Sequence, residues 1–418
     1  MNHFPNSLYQ SDSWIRVSPK MKTLRIFYAA DHTPNAYMPS CRLWYNNLYL
    51  PLVDLGHDVV PLQYNLTPHF RNLNGTVPEQ RAFIEKNRPR LEQALLGQIQ
   101  KAHGEKAIDM FFSYFYSACV RSETIRAIRD LGIMTVNWYC NASYQFNLVE
   151  EIAPAYNFCL VPEKCRLDDY RRVGANPIYC QEAANPTIYK PYPLSQKYDV
   201  SFVGQRYGER GAYIRYLLDK GIDVRVWGLG WEAPGESAKL QLGRNWRKLK
   251  RLAESDRWKT LLGRLKGGAA TASLAMPWSE AADGNIQIPA EKCGPPLSDE
   301  ELVKMYSRSR VSLGFSTVGN THMNSSPIKQ IRLRDFEAPM SGAFYMVEYM
   351  EELEEFFEPD KEVVCYYDKE DLAGKVRYYL SHDKEREAIR RAGHRRAVAE
   401  HTWHKRFAAA FCQMGLCG

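Results

Sequence analysis

The feature that most limits what this chain can fold into is a pattern that begins twice. Residues 24–30 (LRIFYAA) form an apolar run of strand length, followed by a polar loop at 31–40. A helical pattern over 42–55 then stops at Gly56, and 57–63 reads as a second strand. Near residue 198 the pattern restarts, with a strand at 198–203, a glycine-containing loop at 204–208, a helix at 209–220 and a strand at 223–227. Strand, helix and strand in this order predict parallel pairing with a right-handed crossover. Two such beginnings predict an α/β chain with two doubly wound sheets, each binding ligands at the carboxyl ends of its strands.

The remaining elements fall into the two halves. Helices at 79–103, 123–131 and 164–172 alternate with strands at 108–114, 134–139, 158–161 and 178–180. Segment 185–197 carries three prolines and no periodicity, and reads as a linker. Beyond it, a helix at 297–308 begins with Ser298 as N-cap and Glu301 three residues on. A strand at 311–315, a helix and strand within 330–348, a strand at 362–365 and helices at 371–381 and 384–400 complete the second half. The expected division is a loose extension at 1–20, a first domain at 21–184, the linker, a second domain at 198–400 and a final helix at 401–418. A length of 418 residues suits two domains.

Composition narrows the classes. No apolar run approaches the roughly 18 residues of a transmembrane helix, and 1–20 lacks the apolar core of a signal peptide. The ten cysteines show no CxxC pair and sit mostly in apolar runs, so reduced thiols are expected. These features point to a cytoplasmic placement. The net charge of +7 is uneven. Between Lys239 and Lys266 basic residues oppose only Glu254 and Asp256, and alternate with Trp246, Leu249, Trp258 and Leu261. Within an insertion at 232–290, this segment suits an anionic partner, either a membrane surface on its inner face or a nucleic acid.

Four places carry chemistry. Asp31 and His32 lie just past the first strand, where either side chain is a candidate general base. In Gly204–Arg210 (GQRYGER), glycines at a helix start let backbone N–H groups approach an anion, with Arg206 and Arg210 adding charge. Trp231 closes a WGLGW turn and is a candidate to stack on a planar base. In 330–348, Leu333, Phe336 and Met340 make one helical face, Arg334, Glu337 and Ser341 another, and Gly342 stops the helix. The histidines 394, 401 and 404 lack a carboxylate or thiol at ligand spacing, so no metal site is expected.

Six stretches in order resemble one family: 138–141 (WYCN), 183–186 with 189–191 (AANP and YKP), 199–210 (DVSFVGQRYGER), 226–231 (VWGLGW), 334–342 (RDFEAPMSG) and 401–406 (HTWHKR). Together they resemble GT-B glycosyltransferases, and within them the CgeB-like spore-maturation group with its glycosyltransferase family 1-type C-terminal domain. The resemblance implies two Rossmann-like domains facing a cleft, with the last helix crossing back to the first domain. It implies a sugar, of hexose type, moved from a nucleoside-diphosphate sugar to a hydroxyl of a glycan, lipid-linked or protein acceptor. No cofactor beyond that co-substrate, and no metal, is implied. The implied donor residues are Gly204, Arg206, Arg210, Trp231, Arg332, Arg334, Glu337 and Gly342, with Glu337 on the ribose hydroxyls and the arginines on the diphosphate. Two positions depart from the pattern. Lys329 stands where many retaining relatives carry a second glutamate, and Asn141 stands where aspartate is expected. Inversion and retention therefore stay open, as do the sugar, base, acceptor and oligomeric state. Other readings are a nucleic-acid glycosyltransferase using the basic segment, a sugar-nucleotide epimerase, and a non-catalytic nucleotide-sugar-binding module.

Overall fold

A computed structural model describes residues 22–30, 42–231, 286–319 and 321–417. Asp31, His32 and the basic segment 239–266 lie outside the described residues.

Two six-stranded sheets form the frame. The first contains β1 (Arg25–Ala29), β2 (Asp58–Pro61), β3 (Met110–Ser113), β4 (Met134–Trp138), β5 (Phe158–Val161) and β6 (Pro177–Tyr179), in the order β2-β1-β3-β4-β5-β6. The second contains β7 (Tyr198–Val203), β8 (Val224–Trp227), β9 (Cys293–Gly294), β10 (Ser309–Gly314), β11 (Tyr345–Glu348) and β12 (Val364–Tyr366), in the order β12-β11-β10-β7-β8-β9. Every pairing within them is parallel. Parallel sheets need cover on both faces, which is why β3 (MFFS) and β11 (YMVE) are buried at every residue. Strand order reverses between β1 and β3 in one domain and between β7 and β10 in the other. Those reversals open crevices at the carboxyl ends of the strands.

The first domain carries a π-helical turn (Tyr45–Tyr49) running into α1 (Leu50–Asp54), followed by α2 (Pro78–Glu105), α3 (Ser122–Arg129), α4 (Ala142–Gln145) and α5 (Leu167–Arg172). The helix expected over 42–55 is thus continuous over 43–54, with a π-turn in its middle. Gly56, at φ +86°, ends α1 in a Schellman turn: the Gly56 N–H donates to Val53 O and the His57 N–H to Leu52 O. The second domain carries α6 (Arg210–Asp219), α7 (Asp299–Arg308), α8 (Leu333–Met340), α9 (Lys369–Ser381) and α10 (Asp383–Glu400). The Ser298 hydroxyl accepts from the Glu301 N–H at 3.2 Å and starts α7. The two-residue β9 has no apolar run in the sequence to announce it.

The last helix, α11 (Trp403–Gln413), leaves its own domain. Trp403, Phe407 and Phe411 belong to the first domain's core, where Phe407 packs edge-on to Phe112 and Trp403 edge-on to Trp138. The two crossings between domains are tied together: the Ala184 N–H donates to His401 O (3.1 Å) and the Trp403 N–H to Ala184 O (3.2 Å). One cysteine expectation is corrected here. Cys412 and Cys417 form a disulfide, because the chain turns through Gly415 (φ +79°) and brings their Cα atoms to 4.7 Å. The other described cysteines are free. Among the described residues, no helix is long and apolar enough to cross a membrane.

Candidate functional site

A cleft of about 340 Å³ lies between the domains, at the β7/β10 crevice. Its second-domain wall comes from the ends of β7 and β10, the loop after β7, and the start of α8. Its first-domain wall includes Leu43, Trp44, Cys140, Asn141 and Glu182. Hydrogen bonds across the domains hold the walls together. Asp299 accepts from the Arg42 N–H and the Asn46 side-chain amide, both at 2.8 Å. The Gln330 amide donates to Cys140 O (2.6 Å), and the Ser143 hydroxyl donates to Gln330 Oε1 (3.0 Å).

The loop after β7 is shaped by the WGLGW turn beneath it. Gly204 donates to Trp227 O (2.9 Å), Arg206 N–H donates to Leu229 O (2.9 Å), and the Trp231 indole donates to Gly204 O (2.7 Å). Gly228 has φ +142°, and a Cβ there would sit 2.2 Å from Gly204 O. Gly228→Ala therefore has to push the loop away as well as accept a strained backbone. About 1–3 kcal/mol of lost stability is expected from the strain alone, read as a lower urea midpoint, together with weaker binding of any anion held by this loop.

Two arginines meet over Tyr207. The Arg210 guanidinium lies 3.7 Å from the Tyr207 ring centroid and donates to Tyr207 Oη (2.5 Å) and Gln205 O (2.8 Å). Arg332 reaches the same hydroxyl at 3.5 Å. Burial pushes Arg210 down to about 10; Tyr207 opposes this, while Arg332 and Arg334 push the same way. Burial raises Tyr207, but the two guanidiniums outweigh it and hold the phenol below its ordinary range. Among the described residues neither Arg210 nor Arg332 is in an ion pair, and the Nε of each is buried without a partner. Two unpaired cations facing one cleft are complementary to an anion.

Helix α8 supplies the acid. Its residues from Asp335 to Met340 are all buried, so the face that carries Glu337 is interior. Asp335 is structural: it accepts from the Arg332 N–H and the Tyr345 hydroxyl, both at 2.7 Å. Glu337, 2% exposed, pairs with Arg334 at 3.5 Å, and Arg334 also donates to the Tyr306 hydroxyl (2.9 Å). Tyr189 and Asn47 flank Glu337, yet its Oε1 has no hydrogen-bond partner. Burial raises its pKa, and Arg334 opposes that shift. Beyond the helix, Gly342 (φ +73°) closes a Schellman turn in which the Gly342 N–H donates to Pro339 O and the Ala343 N–H to Ala338 O.

Of the sequence candidates, Gly204, Arg210, Arg332, Arg334 and Glu337 line this one cleft. Arg206, Trp231 and Gly342 are not among the lining residues. Arg206 turns away to donate to Ile286 O (2.6 Å) and lies over the Trp231 ring. Trp231 is buried beneath the loop rather than offered as a stacking face. Gly342 packs beside Pro191 and accepts from Arg390 (2.9 Å). Lys329 is occupied elsewhere, with Glu348 at 3.2 Å and donating to Tyr349 O at 2.8 Å. Asn141 does line the cleft, and its Oδ1 accepts from the Tyr144 hydroxyl. Sequence reasoning missed Trp44, Tyr207 and Glu182. A lone acid in the mostly apolar run after β6 was the available signal for Glu182. Among the described residues, no group of three or more His, Cys, Asp and Glu side chains is arranged to hold a metal ion.

The fold is the GT-B fold, with two Rossmann-like domains facing each other. Residues 210–412, which span most of the second domain and α11, match the model of a glycosyl transferase-like family. Among solved structures, sucrose-phosphate synthase from Thermosynechococcus elongatus is 12% identical with TM-score 0.53, over 94% of this chain and 98% of that one. Anabaena HepE in complex with UDP-glucose is 10% identical with TM-score 0.53, over 93% and 99%. A glycosyltransferase from Rickettsia africae is 11% identical with TM-score 0.51, over 94% and 98%. No curated protein sequence matches the chain.

Proposed function

We propose that this chain is a glycosyltransferase that takes a sugar from a nucleoside-diphosphate sugar and passes it to an acceptor hydroxyl, and that it stands with the CgeB-like group of the fold. The observation that carries this reading is the meeting, in one cleft, of two guanidiniums that are in no ion pair among the described residues with the buried carboxylate of Glu337, whose Oε1 is short of a hydrogen-bond partner. A diphosphate against Arg210 and Arg332 supplies the missing anion. Ribose hydroxyls at Glu337 supply the missing donors, because a carboxylate accepts from two adjacent O–H groups. The guanidiniums do most where charge grows, on the diphosphate as the glycosidic bond breaks. Trp44 and Asn141, on the opposite wall, would receive the acceptor.

The test is a thermal-shift screen of the full chain against UDP, GDP, dTDP and CMP, and then their sugars. UDP-glucose comes first among the sugars because the similar HepE structure holds it. A ligand at a hundred times its Kd adds about 2.7 kcal/mol to stability, so the correct nucleotide should raise the midpoint clearly above the rest. A flat response across all four bases would contradict the reading. An epimerase would convert the sugar nucleotide without any acceptor, and a binding module would shift its midpoint without turnover.

A further inference from the structure

The mechanism so far leaves one buried acid of the cleft unused. Glu182 follows β6 on the segment that crosses between the domains, and it lines the first-domain wall beside Cys140 and Asn141. It is 5% exposed, and its Oε2 has no hydrogen-bond partner. Its backbone does not move freely, since the Glu182 N–H donates to Gln181 Oε1 (2.8 Å) and Ala184 is fastened on both sides to the returning C-terminal segment. Glu163, the other buried acid nearby, also has an unpartnered Oε2, but its Oε1 accepts from the Ser143 N–H (3.4 Å) and the Gln330 amide (3.3 Å), and it does not line the cleft. A buried carboxylate in the wall of this cleft, with the Cys140 thiol beside it and one oxygen short of a hydrogen-bond partner, is complementary to a hydroxyl.

Resting on the donor-site reading above, we propose that Glu182 is the catalytic carboxylate that takes the proton from the acceptor hydroxyl in an inverting transfer. The acceptor oxygen attacks the anomeric carbon. The bond from that carbon to the diphosphate oxygen breaks, its electron pair leaving with the nucleoside diphosphate against Arg210 and Arg332. The acceptor proton passes to the Glu182 carboxylate. The surroundings suit a proton acceptor near neutrality. Burial pushes Glu182 up to about 8, Arg332 opposes that, and Glu163 and Glu337 add to it, with the Cys140 thiol alongside. A base with a pKa near the working pH is the effective kind. Arg332, acted on by Glu182, thus links the two halves of the reaction.

The experiment uses the full chain, with Glu182→Ala and Glu182→Gln beside the wild type. The donor is the sugar nucleotide that stabilises the wild type most, starting from UDP-glucose. Water and then sodium azide serve as acceptors. Both variants are expected to keep the wild-type thermal shift with the nucleoside diphosphate, yet to release it from the donor at least about 100-fold more slowly in water. Azide needs no deprotonation, so it should restore release in Glu182→Ala and give a glycosyl azide of inverted anomeric configuration by NMR. A merely structural glutamate would not respond to azide. Release at the wild-type rate in both variants, a retained configuration, or bound nucleotide with no azide rescue would each overturn the proposal. A wild type that binds no nucleoside diphosphate would instead fail at the donor site, and the assignment of Glu182 would fall with it.

Discussion

Glu337→Ala is expected to cost stability and donor binding together. Glu337 is the acid paired with Arg334 in a helix buried from Asp335 to Met340. Removing it leaves a largely buried guanidinium with, among the described residues, the Tyr306 hydroxyl as its remaining hydrogen-bond partner. Breaking a buried pair from one side typically costs about 3–5 kcal/mol, and the 30% exposure of the Arg334 side chain places this pair toward the lower figure. Urea unfolding should therefore show a much lower midpoint. Glu337→Gln separates the two roles. The amide keeps the volume and one acceptor oxygen, so most of the stability should return. It has lost the negative charge and the second acceptor oxygen that two adjacent ribose hydroxyls would meet, so nucleotide affinity should stay at least about tenfold below wild type, equivalent to about 1.4 kcal/mol. Wild-type affinity in Glu337→Gln would remove the ribose assignment.

Arg332→Leu should show the opposite balance. Arg332 shares the Tyr207 hydroxyl with Arg210 and is in no ion pair among the described residues. Arg332 lowers the tendency of Arg210 to be charged. Deleting Arg332 relieves Arg210 but removes the cation that Tyr207, Glu182 and Asp335 favour, so the loss of folding stability should be small beside the loss of ligand. Nucleoside-diphosphate affinity should fall on the order of 100-fold, because hydrogen bonds to charged groups contribute about 1.5–3 kcal/mol each. Arg332→Lys should recover only part of the loss, since a lysine lacks the planar fork that meets two phosphate oxygens. Calorimetric titration with the nucleoside diphosphate and urea unfolding of the same preparations would check both halves. A small loss of stability beside a large loss of ligand is the mark of a residue kept for binding.

The frame was legible in the sequence because its elements obey local rules. The restart near residue 198 is β7, and the bounds 198–203 and 158–161 match the strands found there. Gly56 and Gly342 stop their helices at positive φ as expected. Within the site, Arg210, Arg332, Arg334 and Glu337 converge on one cleft, which sequence order and family resemblance together anticipated. What failed were inferences about where a side chain points. Arg206 and Arg210 lie four apart in one loop, yet one turns to Ile286 O and the other to Tyr207, because the WGLGW turn occupies one side of that loop. Trp231 looked like a stacking face and proved to be the support beneath Gly204. Glu182, Trp44 and Asp299 escaped notice because their importance arises from contacts between domains, and no local pattern encodes a contact across hundreds of residues.

On the proposed function, the cleft between β7, β10 and α8 holds a nucleoside-diphosphate sugar. A crystal structure of the chain with the nucleotide chosen by the thermal-shift screen tests it most directly. The account predicts the diphosphate at hydrogen-bond distance, about 3 Å, from the guanidiniums of Arg210 and Arg332, with both ribose hydroxyls on Glu337. Nucleotide bound away from those residues, or a cleft that stays empty at saturating concentration, would contradict it.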